Sequence, residues 1–142
     1  MKAAMNHTTN YFNTFIEIAT DCPAKSAEIP PQKGEEKTVA VLQFELISHN
    51  PYKYTSDEII FNVFALRKKI PAHLLSDKRN LFFSKGQACL RSSPLGKRYG
   101  WGILYNEEGR IAVYAAESEK YKTFANDVSL IRIKAMRSGK KL

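Results

Sequence analysis

The first regular pattern along the chain is a short alternation in residues 13–19, NTFIEIA, where Phe15 falls on the side opposite Ile16 and Ile18. A period of two predicts a strand. Residues 20–37 then hold three prolines, one glycine and many charges, and predict a loop or an extended surface segment. In residues 38–48, TVAVLQFELIS, apolar side chains recur at helical spacing behind Thr38, a suitable N-cap, and predict a helix. Val39 and Val41 also alternate, which leaves a strand open there. The HNPY stretch ends the element, because a residue before proline avoids the α region.

A second helix is expected from Thr55 onward. Thr55 and Glu58 have the spacing of a capping box, Asp57 and Glu58 fall in the first turn, and Arg67, Lys68 and Lys69 fall in the last. The β-branched and aromatic residues of the segment would also suit a strand. Ala72 to Ser84 reads as a further helix with Leu74, Leu75, Leu81, Phe82 and Phe83 as its apolar positions. The clearest pattern is a hairpin: Tyr99, Trp101, Ile103 and Tyr105 alternate, Asn106–Gly109 (NEEG) turns, and Ile111, Val113 and Ala115 alternate back. Ser118, Tyr121 and Phe124 suggest a short helix, and Val128 to Ile133 a last strand. Strands and helices in this uneven order indicate an α+β fold: a small antiparallel sheet including the 99–116 β-hairpin, packed against several helices on one face. One compact domain over residues 11–136 is expected, with flexible termini at 1–10 and 137–142.

Composition adds constraints rather than an identity. The chain has 142 residues, 44% hydrophobic and 25% charged. A domain of this size buries about 68–70% of its unfolded surface and needs no disulfide or metal to fold. Cys22 and Cys89 lie 67 positions apart, and His7, His49 and His73 are scattered, so no metal-ligand spacing or cofactor motif is present. Neither a signal peptide nor a run of ~20 apolar residues is visible, which predicts a soluble, cytoplasmic protein with free thiols and no membrane partner. Met5 offers an alternative start.

Charge changes the picture more. The net charge is +8, and it is concentrated. Residues 85–102 contribute +4 without an acid, residues 128–142 contribute +5 without an acid, and the remainder nets −1. Clustered cations favour polyanionic partners. The stretch Arg91–Gly102, RSSPLGKRYGWG, combines cations, aromatics and three glycines. Its spacing is neither that of a P-loop nor that of a dinucleotide-binding fingerprint. Glycine in a strand indicates close approach of another backbone, a side chain or a ligand, here a helix packed against the glycine face or a groove floored by glycine. Arg91, Lys97 and Arg98 are candidates for contacting phosphates of a nucleic acid or a phosphorylated ligand, with Tyr99 available to stack on a base. Cys89 beside Arg91 is a possible reactive thiol. A nucleophilic cysteine needs a base, and His49 or His73 could reach it only through the fold. The alternative for Cys89 is a buried small hydrophobe. Glu45, Glu58 and Glu117 form no acid–base pair in sequence.

The segments YFNTFIEIATDCPA, PYKYTSDEIIF, FFSKGQACLRSSPLGKRYGWG and KAMRSGK together resemble a family of small bacterial proteins classed as a domain of unknown function. The shared hallmark is a K-R-Y-G-W-G core preceded by Q-A-C-x-R-x-S-P, and the resemblance spans roughly residues 10–139. It implies one compact domain and carries no activity, substrate or cofactor. The reading is then a small binding module for an anionic partner, with an enzyme cleft near Cys89, or a subunit that pairs strands with another chain, as the alternatives.

Overall fold

The computed structural model describes residues 6–139. Met5, Lys140 and Lys141 lie outside the described residues. Four strands, β1 (Thr14–Glu17), β2 (Trp101–Tyr105), β3 (Ile111–Ala115) and β4 (Ile131–Lys134), form one sheet in the order β3-β2-β1-β4. Five helices accompany it: α1 (Val39–Ser48), α2 (Ser56–Lys68), α3 (Leu75–Phe82), α4 (Pro94–Lys97) and α5 (Glu119–Ala125). This is the expected α+β arrangement, and the hairpin pairs in the expected antiparallel sense, with Trp101 opposite Ala115 and Tyr105 opposite Ile111.

The local signals explain where the helices begin. Thr38 caps α1 by accepting the Val41 amide at 3.2 Å. At α2 the capping box is complete: Glu58 N donates to Thr55 Oγ1 at 3.2 Å and Thr55 N donates to Glu58 Oε1 at 2.9 Å. Lys69 ends α2 in the left-handed region, with φ 57°. The helix expected over 72–84 is shorter. Pro71 leads into a 3₁₀ turn at Ala72–Leu74, and α3 proper starts at Leu75.

The sheet is mostly antiparallel, as expected, and the structure adds two features to it. It is mixed, because β4 runs parallel to β1, Phe15 opposite Arg132 and Ile16 opposite Ile133. Helix α5 returns the chain to the level of Asn13, whose carbonyl accepts the Ile131 amide at 2.9 Å. The sheet is also covered on both faces. On one, Ile16, Ile103, Tyr105 and Ile111 join Ile59 of α2 and Ile47 of α1 in the main core. On the other, Phe15 meets Tyr121 and Phe124 of α5 edge-on or tilted, at 5.0 and 5.6 Å between ring centroids. Gly102 makes this second layer possible. A methyl group there would come within 2.6 Å of Phe15 Cζ and 2.7 Å of Tyr121 Cε2.

Residues 8–10 and 138–139 hydrogen-bond to side chains of the domain. Thr9 is buried and donates through N and Oγ1 to Asp57 Oδ1, at 2.6 and 2.7 Å. The Gly139 amide donates to Asp21 Oδ2 at 2.8 Å.

Gly102→Ala is expected to destabilise by ~1–3 kcal/mol through overpacking of the Phe15–Tyr121 layer. A urea melt should show a lower midpoint at unchanged slope. An unchanged midpoint would mean that α5 is not held against the sheet at this glycine.

Candidate functional site

The stretch from Cys89 to Gly102 is built first as architecture. A 3₁₀ turn at Leu90–Ser92 leads to Ser93, which caps α4 by accepting the Leu95 amide at 3.1 Å. Pro94 occupies the first helical position, where a missing N–H costs nothing. Leu95 is fully buried, and a methyl on Gly96 would stand 3.0 Å from the Ala135 Cβ. Gly100 precedes the strand rather than lying within it. Its φ of +82° suits glycine, and the Ala27 backbone packs 3.1 Å from where a side chain would start. The 20–37 segment crosses at this point. Glu28 donates its amide to the Tyr99 carbonyl, and its own carbonyl accepts from Trp101 Nε1, both at 2.8 Å. Trp101 also packs on Phe44 of α1 at 4.9 Å between centroids. The glycines therefore admit protein, and Trp101 is a half-buried packing residue.

The candidate cations are left around this frame. Arg98 is exposed at the end of α4, and Lys97 and Tyr99 are half-buried. Lys97 and Arg98 form no ion pair among the described residues. Arg91 is partly committed: its Nε donates to the Lys134 carbonyl at 2.9 Å, and its own carbonyl accepts the Met136 amide at 2.9 Å. With Gly96 beneath Ala135, these bonds dock residues 134–136 along residues 91–96. The two basic segments, separate in sequence, thus adjoin in space. Carboxylates share the region, among them Glu117, which accepts the Ala27 amide at 2.9 Å beside Gly100. Glu17 lies 3.5 Å from Lys134 Nζ, and Asp21 accepts the amides of Ser138 and Gly139.

Cys89 sits apart from this frame, half-buried, with Tyr11 OH 3.4 Å from its Sγ. That hydrogen bond, followed by burial, raises the Tyr11 phenol above its ordinary range. Tyr11 stands edge-on to Tyr105 at 5.4 Å. Tyr105 is fully buried, its hydroxyl without a hydrogen bond of normal geometry, although Ser56 lies near enough to favour its ionised form. Burial dominates and pushes the Tyr105 phenol far up. Beside it, Asp57 also accepts the Thr8 hydroxyl at 2.6 Å, and Ser56 Oγ donates to the Thr9 carbonyl at 2.9 Å. No histidine is hydrogen-bonded to Cys89 among the described residues. His49 caps the C-terminus of α1 and His73 lies in the turn before α3, both exposed. Cys22 is buried, its thiol 3.8 Å from the Ala24 carbonyl. Sequence reasoning missed the Asp57 network, since Thr9 and Asp57 are 48 positions apart and Asp57 reads locally as an ordinary first-turn acid.

The third sequence alternative is pairing through the hairpin or the last strand, and of the two sheet edges, β3 and β4, the β4 edge is partly closed. Arg91 takes the Lys134 carbonyl on the outer side of β4, and Arg132 and Lys134 place charge along it. Among the described residues no group of three metal-ligating side chains is assembled, and no helix is long and apolar enough to cross a membrane.

The architecture defines a small α+β protein whose basic segments converge at one edge of a mixed sheet. Over residues 6–141 the chain matches, and belongs to, DUF6157, a family of unknown function. No curated protein and no solved structure matches it.

Asp57→Ala is expected to cost roughly 1.5–3 kcal/mol, the range for hydrogen bonds to a charged group. It should also release residues 8–10, and with them the Tyr11 cover on Cys89. Urea melts and the rate of thiol labelling at Cys89 check this together. An unchanged midpoint with unchanged labelling would contradict the tethering role.

Proposed function

We propose that the protein is a binding module for a polyanion, and that single-stranded nucleic acid is its partner. The observation that carries this reading is the docking of residues 134–136 on residues 91–96, through Arg91 Nε to the Lys134 carbonyl and the Met136 amide to the Arg91 carbonyl. It sets Arg91 of the first basic segment beside Lys134 of the second. Arg91, Lys97 and Arg98 contact phosphates, Lys134 and Arg137 extend the track, and Tyr99 flanks it as the base-stacking side chain. Extended phosphate tracks suit repeated point charges, and aromatic side chains add stacking that tolerates any base. Trp101 is excluded from that role by its bond to Glu28 and its packing on Phe44. The packing also explains why the cations can be altered safely: the turn is held by Leu95, Gly96 and Gly100, not by Lys97 or Arg98.

The test is a fluorescence-polarisation titration of a labelled single-stranded oligonucleotide at two salt concentrations. Wild-type affinity should fall as salt rises, since phosphate binding releases counterions. Lys97→Ala with Arg98→Ala should leave the thermal midpoint nearly unchanged, because charges without partners contribute little. The double variant should bind more weakly, and its log–log salt slope should be shallower by about 0.7 for each phosphate that is no longer neutralised. No binding by the wild type at low salt, or equal binding by both proteins, would overturn the assignment.

A further inference from the structure

A groove of about 750 Å³ opens between the C-terminal end of α2, α3 and the loop at 85–87, and it takes Lys85 from the start of the first basic segment. Its floor is aromatic and aliphatic. Phe64 and Phe82 lie 4.7 Å apart between ring centroids and rest on the buried Phe61–Phe83 cluster, and Ile70 and Leu74 continue the floor. Four exposed lysines, Lys68, Lys69, Lys78 and Lys85, line it, and no carboxylate does. Lys69 has a distant partner, Glu36 at 3.6 Å, and both side chains are more than three-quarters exposed. Lys68, Lys78 and Lys85 form no ion pair among the described residues. Leu81 stands at the rim, 61% exposed, a large apolar side chain left in water beside these charges.

An apolar floor lined by four exposed lysines suits a ligand that answers both. The volume lies in the range of about 300–1,000 Å³ usual for small-molecule sites. The rim narrows the head group. A single carboxylate would satisfy one ammonium and leave the others in mutual repulsion. A phosphate monoester carries about −1.5 to −2 charges and three acceptor oxygens. Lysines can meet such a tetrahedral head as movable point charges. The floor narrows the body: Phe64 and Phe82 are half-buried while the four lysines are exposed, so an apolar chain suits the floor and a charged head the lysines. We infer that this groove binds a phosphorylated amphiphile, a single apolar chain ending in a phosphate monoester, with the chain on Phe64 and Phe82 and the phosphate held by Lys68, Lys78 and Lys85. The site is separate from the basic edge of the sheet and does not depend on nucleic-acid binding there.

The experiment is calorimetric titration of the full chain with dodecyl phosphate below its micelle concentration, beside inorganic phosphate and a neutral dodecyl glycoside as probes of the head and chain alone. Dodecyl phosphate should bind one to one, and at least about tenfold more tightly than either single-feature probe, the effect expected of charge-assisted hydrogen bonds. Lys78→Gln with Lys85→Gln, and separately Leu81→Gln, should each weaken it clearly while leaving the thermal midpoint unchanged, because all three side chains are exposed. Lys97→Ala with Arg98→Ala should leave it unaltered. Equal binding of the neutral glycoside, equal binding of inorganic phosphate, or full affinity in both groove variants would overturn the inference. So would binding only to anionic phospholipid vesicles or to an acidic amphipathic peptide, with none to the monomeric amphiphile.

Discussion

Everything in this fold is hung on the two-sided pairing of a four-residue strand. β1 hydrogen-bonds antiparallel to β2 on one side and parallel to β4 on the other. Phe15 and Ile16, both essentially without solvent exposure, point to opposite faces and seed separate layers. The Ile16 layer collects α1, α2 and the buried Leu90 and Leu95. The Phe15 layer collects α5 through Tyr121 and Phe124. A strand so short cannot hold a sheet by its backbone alone. Burial on both faces does that, at about 1.5–3 kcal/mol for a large apolar side chain taken fully out of water.

From that constraint the position of the basic segments follows. β4 must lie beside β1 for the sheet to close on that side, and its continuation then passes over Gly96. There the Arg91 side chain caps the strand's outer carbonyl, and the Met136 amide returns a bond. The same cation serves the fold and the charged region. Arg91 is accordingly the least dispensable member of the proposed track, and Lys97 and Arg98 the most. The Cys89 region obeys a different logic. Tyr11, Tyr105, Ser56 and Asp57 form a polar seam that ties residues 8–10 to the start of α2, and Cys89 lies at its end with a tyrosine in place of a base.

What was legible in the sequence is what short-range chemistry decides. Thr38, Thr55 and Glu58 act on amides three residues away, so α1 and α2 could be placed from their caps. The hairpin could be placed from alternation about NEEG. Features that join distant residues were not legible. The parallel register of Phe15 with Arg132 has no local signature, and neither does the Thr9–Asp57 bond. Gly102 announced close packing, a helix against the glycine face being the favoured reading, but not that the helix is α5 on a second, separate layer. Arg91 read as a free cation because a guanidinium bonded to a remote carbonyl leaves no trace in its neighbours. The groove was invisible for a related reason: Lys68 and Lys69 read as helix-dipole charges, and their convergence with Lys78 and Lys85 arises only when α3 folds back on α2.

The most direct test of this account is an NMR measurement on the β1–β4 pair. Interstrand nuclear Overhauser effects should connect Phe15 with Arg132 and Ile16 with Ile133, following their register. The Ile131 and Ala135 amides, bonded to the Asn13 and Glu17 carbonyls, should exchange slowly with solvent. Rapid exchange at both amides without those cross-peaks would mean that the chain after α5 is free, that the sheet ends at β1, and that the two basic segments do not share a face.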